Sequence, residues 1–103
     1  MNQKHVKHLD LICTEFEKAC KKHPLFCDAM TNKSRDAVRN ALADLRIENV
    51  EGPYFADSIL HEEITEALEA YQMNALVSCM EELAQCGAVI LRMMEFVQDE
   101  MEA

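Results

Sequence analysis

Helix-breaking residues are almost missing from this chain, and that scarcity restricts its fold more than any other feature. The 103 residues include only two glycines and two prolines, and half of them are hydrophobic. Pro24 and the Gly52-Pro53 pair interrupt otherwise long stretches of helix-forming residues. The chain is therefore predicted to be all-α.

Hydrophobic spacing predicts a single domain over residues 1–103, an antiparallel bundle of about four helices. Lys21 and Lys22 suit a helix C-terminus and Pro24 ends the first helix. Ser34 is a plausible N-cap for the second helix, and Asn74 is a candidate cap for the last. A short turn around Gln72 joins the last two helices, which are expected to be antiparallel neighbours. The four helices are predicted at about residues 4–22, 34–47, 54–72 and 74–101.

The net charge of −9 belongs to the second half of the chain. Residues 1–51 carry nine Lys/Arg and eight Asp/Glu, whereas residues 52–103 carry one Arg and eleven Asp/Glu. This distribution argues against nucleic acid as a partner and suits a site that holds cations. DNA binding through the basic residues of the first half is the weaker alternative.

No apolar run approaches the roughly 18 residues of a membrane span, and the first residues do not resemble a signal peptide. We expect a cytoplasmic protein with no membrane partner. The five cysteines form an odd set without a C-x-x-C pair, and they are expected to be small core residues in a reducing compartment. Zinc and disulfide formation are the alternatives for them.

Two short acidic clusters stand out in the second half. Glu63 with Glu66, and Glu82 with Gln85, are pairs three residues apart, a spacing that places both side chains on one face of a helix. Carboxylate oxygens are the ligands that Mg²⁺ prefers, and facing helices of a bundle often supply them in pairs. The sequence therefore predicts a metal site between the last two helices.

Helical wheels separate these carboxylates from ordinary surface charge. Glu63 falls inside the apolar stripe of its helix and Glu66 falls at the edge, whereas Glu62 and Glu69 are predicted to point to solvent. Glu82 falls among apolar residues of the last helix. Burying a carboxylate in such surroundings is costly unless it is neutralised or paired. The alternative for Glu63 and Glu82 is that only the methylene groups of each side chain pack against the protein while the carboxylate reaches water.

The combined pattern resembles the MazG-like, all-α nucleoside triphosphate pyrophosphohydrolases, whose signature is E-E-x-x-E on one helix and E-x-x-D on the next. Fifteen residues separate the two motifs, which read Glu62-Glu63-Ile64-Thr65-Glu66 and Glu82-Leu83-Ala84-Gln85. Gln85 departs from the usual Asp. In some phage-type members the second motif looks like E-x-x-Q, with an arginine seven residues after the glutamine. Gln85 and Arg92 are similar to that version. The resemblance covers residues 54–97.

The resemblance implies that Mg²⁺, with Mn²⁺ as a substitute, is held by Glu63, Glu66, Glu82 and Gln85. It also implies hydrolysis of a nucleoside triphosphate to the monophosphate and pyrophosphate. Glu66 is the candidate contact for the attacking water, and Arg92 is a candidate phosphate contact, with a surface ion pair as its alternative. Because glutamine brings no charge, the site has three formal negatives instead of four, and weak or altered Mg²⁺ dependence is expected.

A non-catalytic helical bundle, derived from the same fold and used for dimerisation or protein interaction, is the alternative function. The last helix is apolar around more than half of its circumference, which three other modest helices would struggle to cover in a monomer. We therefore expect a homodimer or a larger assembly such as a tetramer.

Overall fold

The computed structural model describes residues 3–24 and 28–103, apart from the side chain of Lys4, and most of these residues are helical. No strand occurs in this described part of the chain, so the all-α prediction and the number of helices are confirmed. None of the described helices combines the length and the apolar character that crossing a membrane requires. The helices are α1 (Gln3–Lys22), α2 (Arg35–Glu48), α3 (Ala56–Gln72) and α4 (Leu76–Glu102).

The ends of the first two helices follow the sequence signals. Lys21 and Lys22 occupy the last turn of α1, where positive charge stabilises the helix dipole. The Ser34 hydroxyl accepts a hydrogen bond of 3.1 Å from the Ala37 backbone N–H, as the N-cap of α2. The cap position at Ser34 is therefore confirmed.

Asn74 closes α3 instead of opening α4, so its predicted role as an N-cap is wrong. Its φ of 60° lies in the left-handed region, which asparagine tolerates better than most residues. The Ala75 N–H donates to the Ala70 carbonyl at 2.8 Å and the Asn74 N–H donates to the Tyr71 carbonyl at 3.0 Å. This is the Schellman pattern, which satisfies the last carbonyls of a helix.

The described residues divide into two compact units. Met30–Ile90 is one unit and contains α2, α3 and the first part of α4. Helix α2 packs against α3, and Val38, Leu42 and Ala67 are each 1% exposed. Burying a side chain such as Val38 or Leu42 contributes roughly 1.5–3 kcal/mol. Cys79 and Cys86 of α4 are buried in agreement with the prediction.

The other unit contains α1 and the part of α4 from Leu91 onward. His5 Nε2 lies 3.5 Å from the Glu95 carboxylate, and His8 is buried. Cys13 and Cys20 are exposed, contrary to the prediction that they are core residues. They share the face of Phe16, which is 61% exposed, so the described residues leave this part of the apolar face of α1 largely exposed. The prediction for Cys27 lies outside the described residues.

Candidate metal centre

Three carboxylates from two helices meet in the unit formed by Met30–Ile90. Glu63 and Glu66 lie one turn apart on α3, and Glu82 approaches them from α4. One carboxylate oxygen of each lies within 4.8 Å of the other two, and all three residues are half-buried. The structure thus brings together the three acidic residues that the sequence singled out, with Glu66 as well buried as Glu63.

The donor set suits a hard divalent cation. Mg²⁺ takes oxygen ligands at about 2.0–2.1 Å, so neighbouring ligand oxygens in its octahedral shell lie about 3 Å apart. The oxygens of Glu63, Glu66 and Glu82 are already within 4.8 Å of one another. Each glutamate side chain has three rotatable bonds through which a bound cation could draw these oxygens closer together.

Without a cation the cluster retains protons. Burial raises the pKa of Glu63 above its usual 4.5, and hydrogen bonding and repulsion from Glu82 raise it further. The pKa of Glu66 is raised to about 8, mainly by burial and also by hydrogen bonds with Glu82 and Glu62. Near neutral pH at least one proton therefore relieves the repulsion among the carboxylates, a role that a metal ion would take over.

Gln85 joins the cluster through its amide nitrogen. With the amide oriented so that both of its ends meet complementary partners, Nε2 donates to Glu63 Oε2 at 2.7 Å and to Glu82 Oε2 at 3.2 Å. The amide carbonyl then faces away from both carboxylates. For Gln85 to ligate a metal, as the resemblance implies, the amide must turn over and present its oxygen. The same side chain thus stabilises the metal-free arrangement.

Glu62 contributes to the cluster, and its predicted solvent position is wrong. The Asn49 side chain, at the C-terminal end of α2, donates to Glu62 Oε1 at 3.0 Å and to the Ser58 carbonyl at 3.1 Å. The Glu62 carboxyl in turn hydrogen-bonds to Glu66. Glu69, also predicted to face solvent, is half-buried as well. A helical wheel considers one helix alone, so it cannot predict that the C-terminal end of α2 covers part of α3.

Arg46 is a basic neighbour that the sequence analysis did not assign to the site. Its Nη2 atom lies 3.7 Å from Glu66 Oε1, with the arginine side chain 56% exposed and the glutamate side chain 20% exposed. The spacing from Ser34 to Ile47 places Arg46 in the last turn of α2, but nothing in the sequence reveals which part of α3 that turn meets.

Arg92 lies in the part of α4 that belongs to the other unit, and its proposed contact with phosphate stays a prediction. Cys86, one turn after Glu82, is buried, and this burial raises the pKa of its thiol, with a further contribution from the nearby carboxylates. This cysteine is therefore protonated at neutral pH and is a poor ligand beside three carboxylates.

No family model, curated protein or solved structure matches this chain. The likeness to MazG-like enzymes therefore rests on the two short motifs, and the geometry of the carboxylate cluster carries the functional argument.

Proposed function

We propose that this protein is a Mg²⁺-dependent nucleoside triphosphate pyrophosphohydrolase, which converts a nucleoside triphosphate to the monophosphate and pyrophosphate. The observation that carries the proposal is the convergence of Glu63, Glu66 and Glu82 within 4.8 Å. These are three of the four positions that the MazG-like motifs assign to metal ligands. Convergence of motif residues from two helices is more specific than either motif alone.

Each residue of the cluster has a role in this proposal. Glu63, Glu66 and Glu82 would hold the cation, and Gln85 would supply its carbonyl oxygen after turning over. Bound Mg²⁺ would polarise the phosphoryl oxygens and offset the charge that develops on them. Glu66 would orient the attacking water and accept its proton. Glu62, fixed by Asn49, would position Glu66.

The central experiment incubates the purified chain with Mg²⁺ or Mn²⁺ and a panel of ribo- and deoxyribonucleoside triphosphates, and measures pyrophosphate release. We expect release that depends on the metal and that the double variant Glu63→Gln/Glu82→Gln abolishes. The matched control is Glu81→Gln, which changes an exposed carboxylate beside Glu82. Activity that survives the double substitution would contradict the assignment of this site.

The alternative function, a non-catalytic helical scaffold, is favoured by the large exposed apolar residues of α4, among them Met80 and Val77. Thermal stability with and without millimolar Mg²⁺ separates the two. A protein that binds the metal in its folded state gains stability according to occupancy. A scaffold without a metal site gives the same melting temperature in both conditions.

Cellular setting and assembly belong to the same proposal. We place the protein in the cytoplasm, where nucleoside triphosphates are available and where thiols such as the free Cys13 and Cys20 stay reduced. We also propose a homodimer or tetramer as the working form, since α4 leaves apolar residues exposed.

A further inference from the structure

Five positions of α4 form an apolar stripe that is separate from the carboxylate cluster. Their spacing alternates between four and three residues, the 3.5-residue period of helices that pair along a seam. On an ideal helix they fall within about 80° of one another, and Glu82 lies about 120° from their centre. The apolar stripe consists of Leu76, Met80, Leu83, Gly87 and Ile90.

The four side chains of the apolar stripe are exposed to different extents. Met80 is 69% exposed, Leu76 55%, Leu83 40% and Ile90 37%. Val77, which borders Leu76, is 75% exposed. Together these residues present roughly 500 Å² of apolar surface, more than half of the ~800 Å² that each partner buries in a standard interface. The stripe and the adjoining Val77 together thus supply somewhat more than half of the contact that each partner of a stable pair needs.

Gly87 is the unusual member of the stripe. Glycine in a helix interior is destabilising relative to alanine, so a packing reason for it is expected. Among the described residues there is none, because a Cβ atom added at Gly87 meets no atom of theirs within 4 Å. A glycine on an exposed apolar stripe lets another helix approach closely, since the distance between helix axes depends on the side chains at the contact.

We propose that the apolar stripe docks a second copy of this chain, with the two α4 helices antiparallel about a two-fold axis at Leu83. The spacing is self-complementary in this register. Leu76 of one copy faces Ile90 of the other, and Met80 faces Gly87, so that a large side chain meets the open glycine on both sides of the axis. This inference rests on the assembly part of the proposed function, for which it names the surface and the register, and it does not depend on the nucleotide chemistry.

The charge of the chain gives this dimer a distinctive salt dependence. Two copies of net charge −9 repel each other, whereas the apolar stripe contains no charged residue. Added salt screens the repulsion without weakening the apolar contact, so association tightens as ionic strength rises. A basic partner protein held by the acidic surface would show the opposite dependence.

The test is the mass of the full chain in solution, measured by sedimentation equilibrium from micromolar to about 100 μM. We expect a dimer of twice 11.8 kDa that tightens with salt. Leu83→Glu places two carboxylates at the axis and should weaken dimerisation at least tenfold. Met80→Glu, at a more exposed position, is a second variant that is easier for the monomer to accommodate. Ala88→Glu is the matched control, exposed and about 120° from the centre of the stripe.

A size swap tests the register. Gly87→Leu alone should weaken the dimer by a clash with Met80, and Met80→Ala alone should weaken it by leaving a void. The double variant Met80→Ala/Gly87→Leu should recover most of the affinity, because the large and small partners have exchanged places. Circular dichroism confirms the helical content of each variant.

Three results would overturn the proposal. A mass of 11.8 kDa at every concentration and salt would exclude the dimer. A dimer that tolerates both Leu83→Glu and Met80→Glu would exclude this surface. A double variant no tighter than either single variant would exclude the antiparallel register.

Discussion

Replacing Gln85 by glutamate converts a hydrogen-bond donor into a fourth carboxylate with almost no change in shape. In the metal-free protein the amide nitrogen donates to Glu63 at 2.7 Å and to Glu82 at 3.2 Å. The variant loses both donations at a pH where its carboxyl is ionised, and it adds a like charge at the same place. We therefore expect a less stable metal-free protein with a higher affinity for Mg²⁺.

The magnitude follows from these two contacts. Hydrogen bonds to charged groups contribute roughly 1.5–3 kcal/mol each when buried, and Gln85 is exposed, so we expect a loss of about 2 kcal/mol at pH 8. For a chain of this size that lowers the melting temperature by about 10 °C. At pH 5 the new carboxyl shares protons with its neighbours and can again donate, so the loss should shrink below about 0.5 kcal/mol.

The assay is urea unfolding of both proteins in EDTA and in 5 mM Mg²⁺, at pH 5 and pH 8. We expect Mg²⁺ to bind the variant about tenfold more tightly, since it completes a four-carboxylate site. The matched control is Gln98→Glu, which alters the same atoms on the same helix, where Gln98 donates to Glu102. Equal losses of stability in the two variants, or no gain in Mg²⁺ affinity in Gln85→Glu, would refute this account of Gln85.

Three further outcomes are expected. The free energy of unfolding of the metal-free protein should fall by about 2 kcal/mol between pH 5 and pH 8 in urea titrations. The reason is that Glu66 keeps its proton up to a pKa of about 8 in the folded protein, whereas it loses the proton near 4.5 in the unfolded chain. Saturating Mg²⁺ should remove this pH dependence. Arg46→Ala should raise Mg²⁺ affinity about threefold in calorimetry, since it removes a half-exposed cation beside Glu66; unchanged affinity would mean that the ion pair has no energetic effect. Ser34→Ala should cost about 1 kcal/mol in urea unfolding, because the Ala37 N–H loses its acceptor; a loss below 0.3 kcal/mol would contradict the cap.

The helices were predictable because their boundaries depend on local chemistry. Pro24 ends α1 and Ser34 caps α2 through groups that lie within a few residues of each boundary. The wrong prediction for Asn74, as the N-cap of α4, also has a local cause. Asparagine serves both as an N-cap and as a left-handed residue after a helix, and two residues beyond Gln72 the sequence permits either. The hydrogen bonds from Ala75 and Asn74 decide it.

The site was predictable only for those residues whose burial depends on their own helix. The wheels placed Glu63 and Glu82 at half-buried positions correctly, because the apolar residues that bury them share their own helices. Glu62 and Arg46 were missed because their partners come from elsewhere in the chain. Asn49 at the end of α2 holds Glu62, and no periodicity along α3 encodes that contact.

The turn between α3 and α4 fixes the rotational phase of α4 as well as its direction. Three residues separate the two helices, and the left-handed Asn74 ends α3 at a defined point. Each residue advances a helix by about 100°, so one residue inserted between Leu76 and Glu82 would carry Glu82 roughly a quarter turn from Glu63 and Glu66. Deleting one residue from this segment would rotate Glu82 by the same angle in the opposite direction. Length variation in this segment would therefore separate the carboxylates before it unfolded either helix, and sequences that keep the cluster should keep this interval fixed.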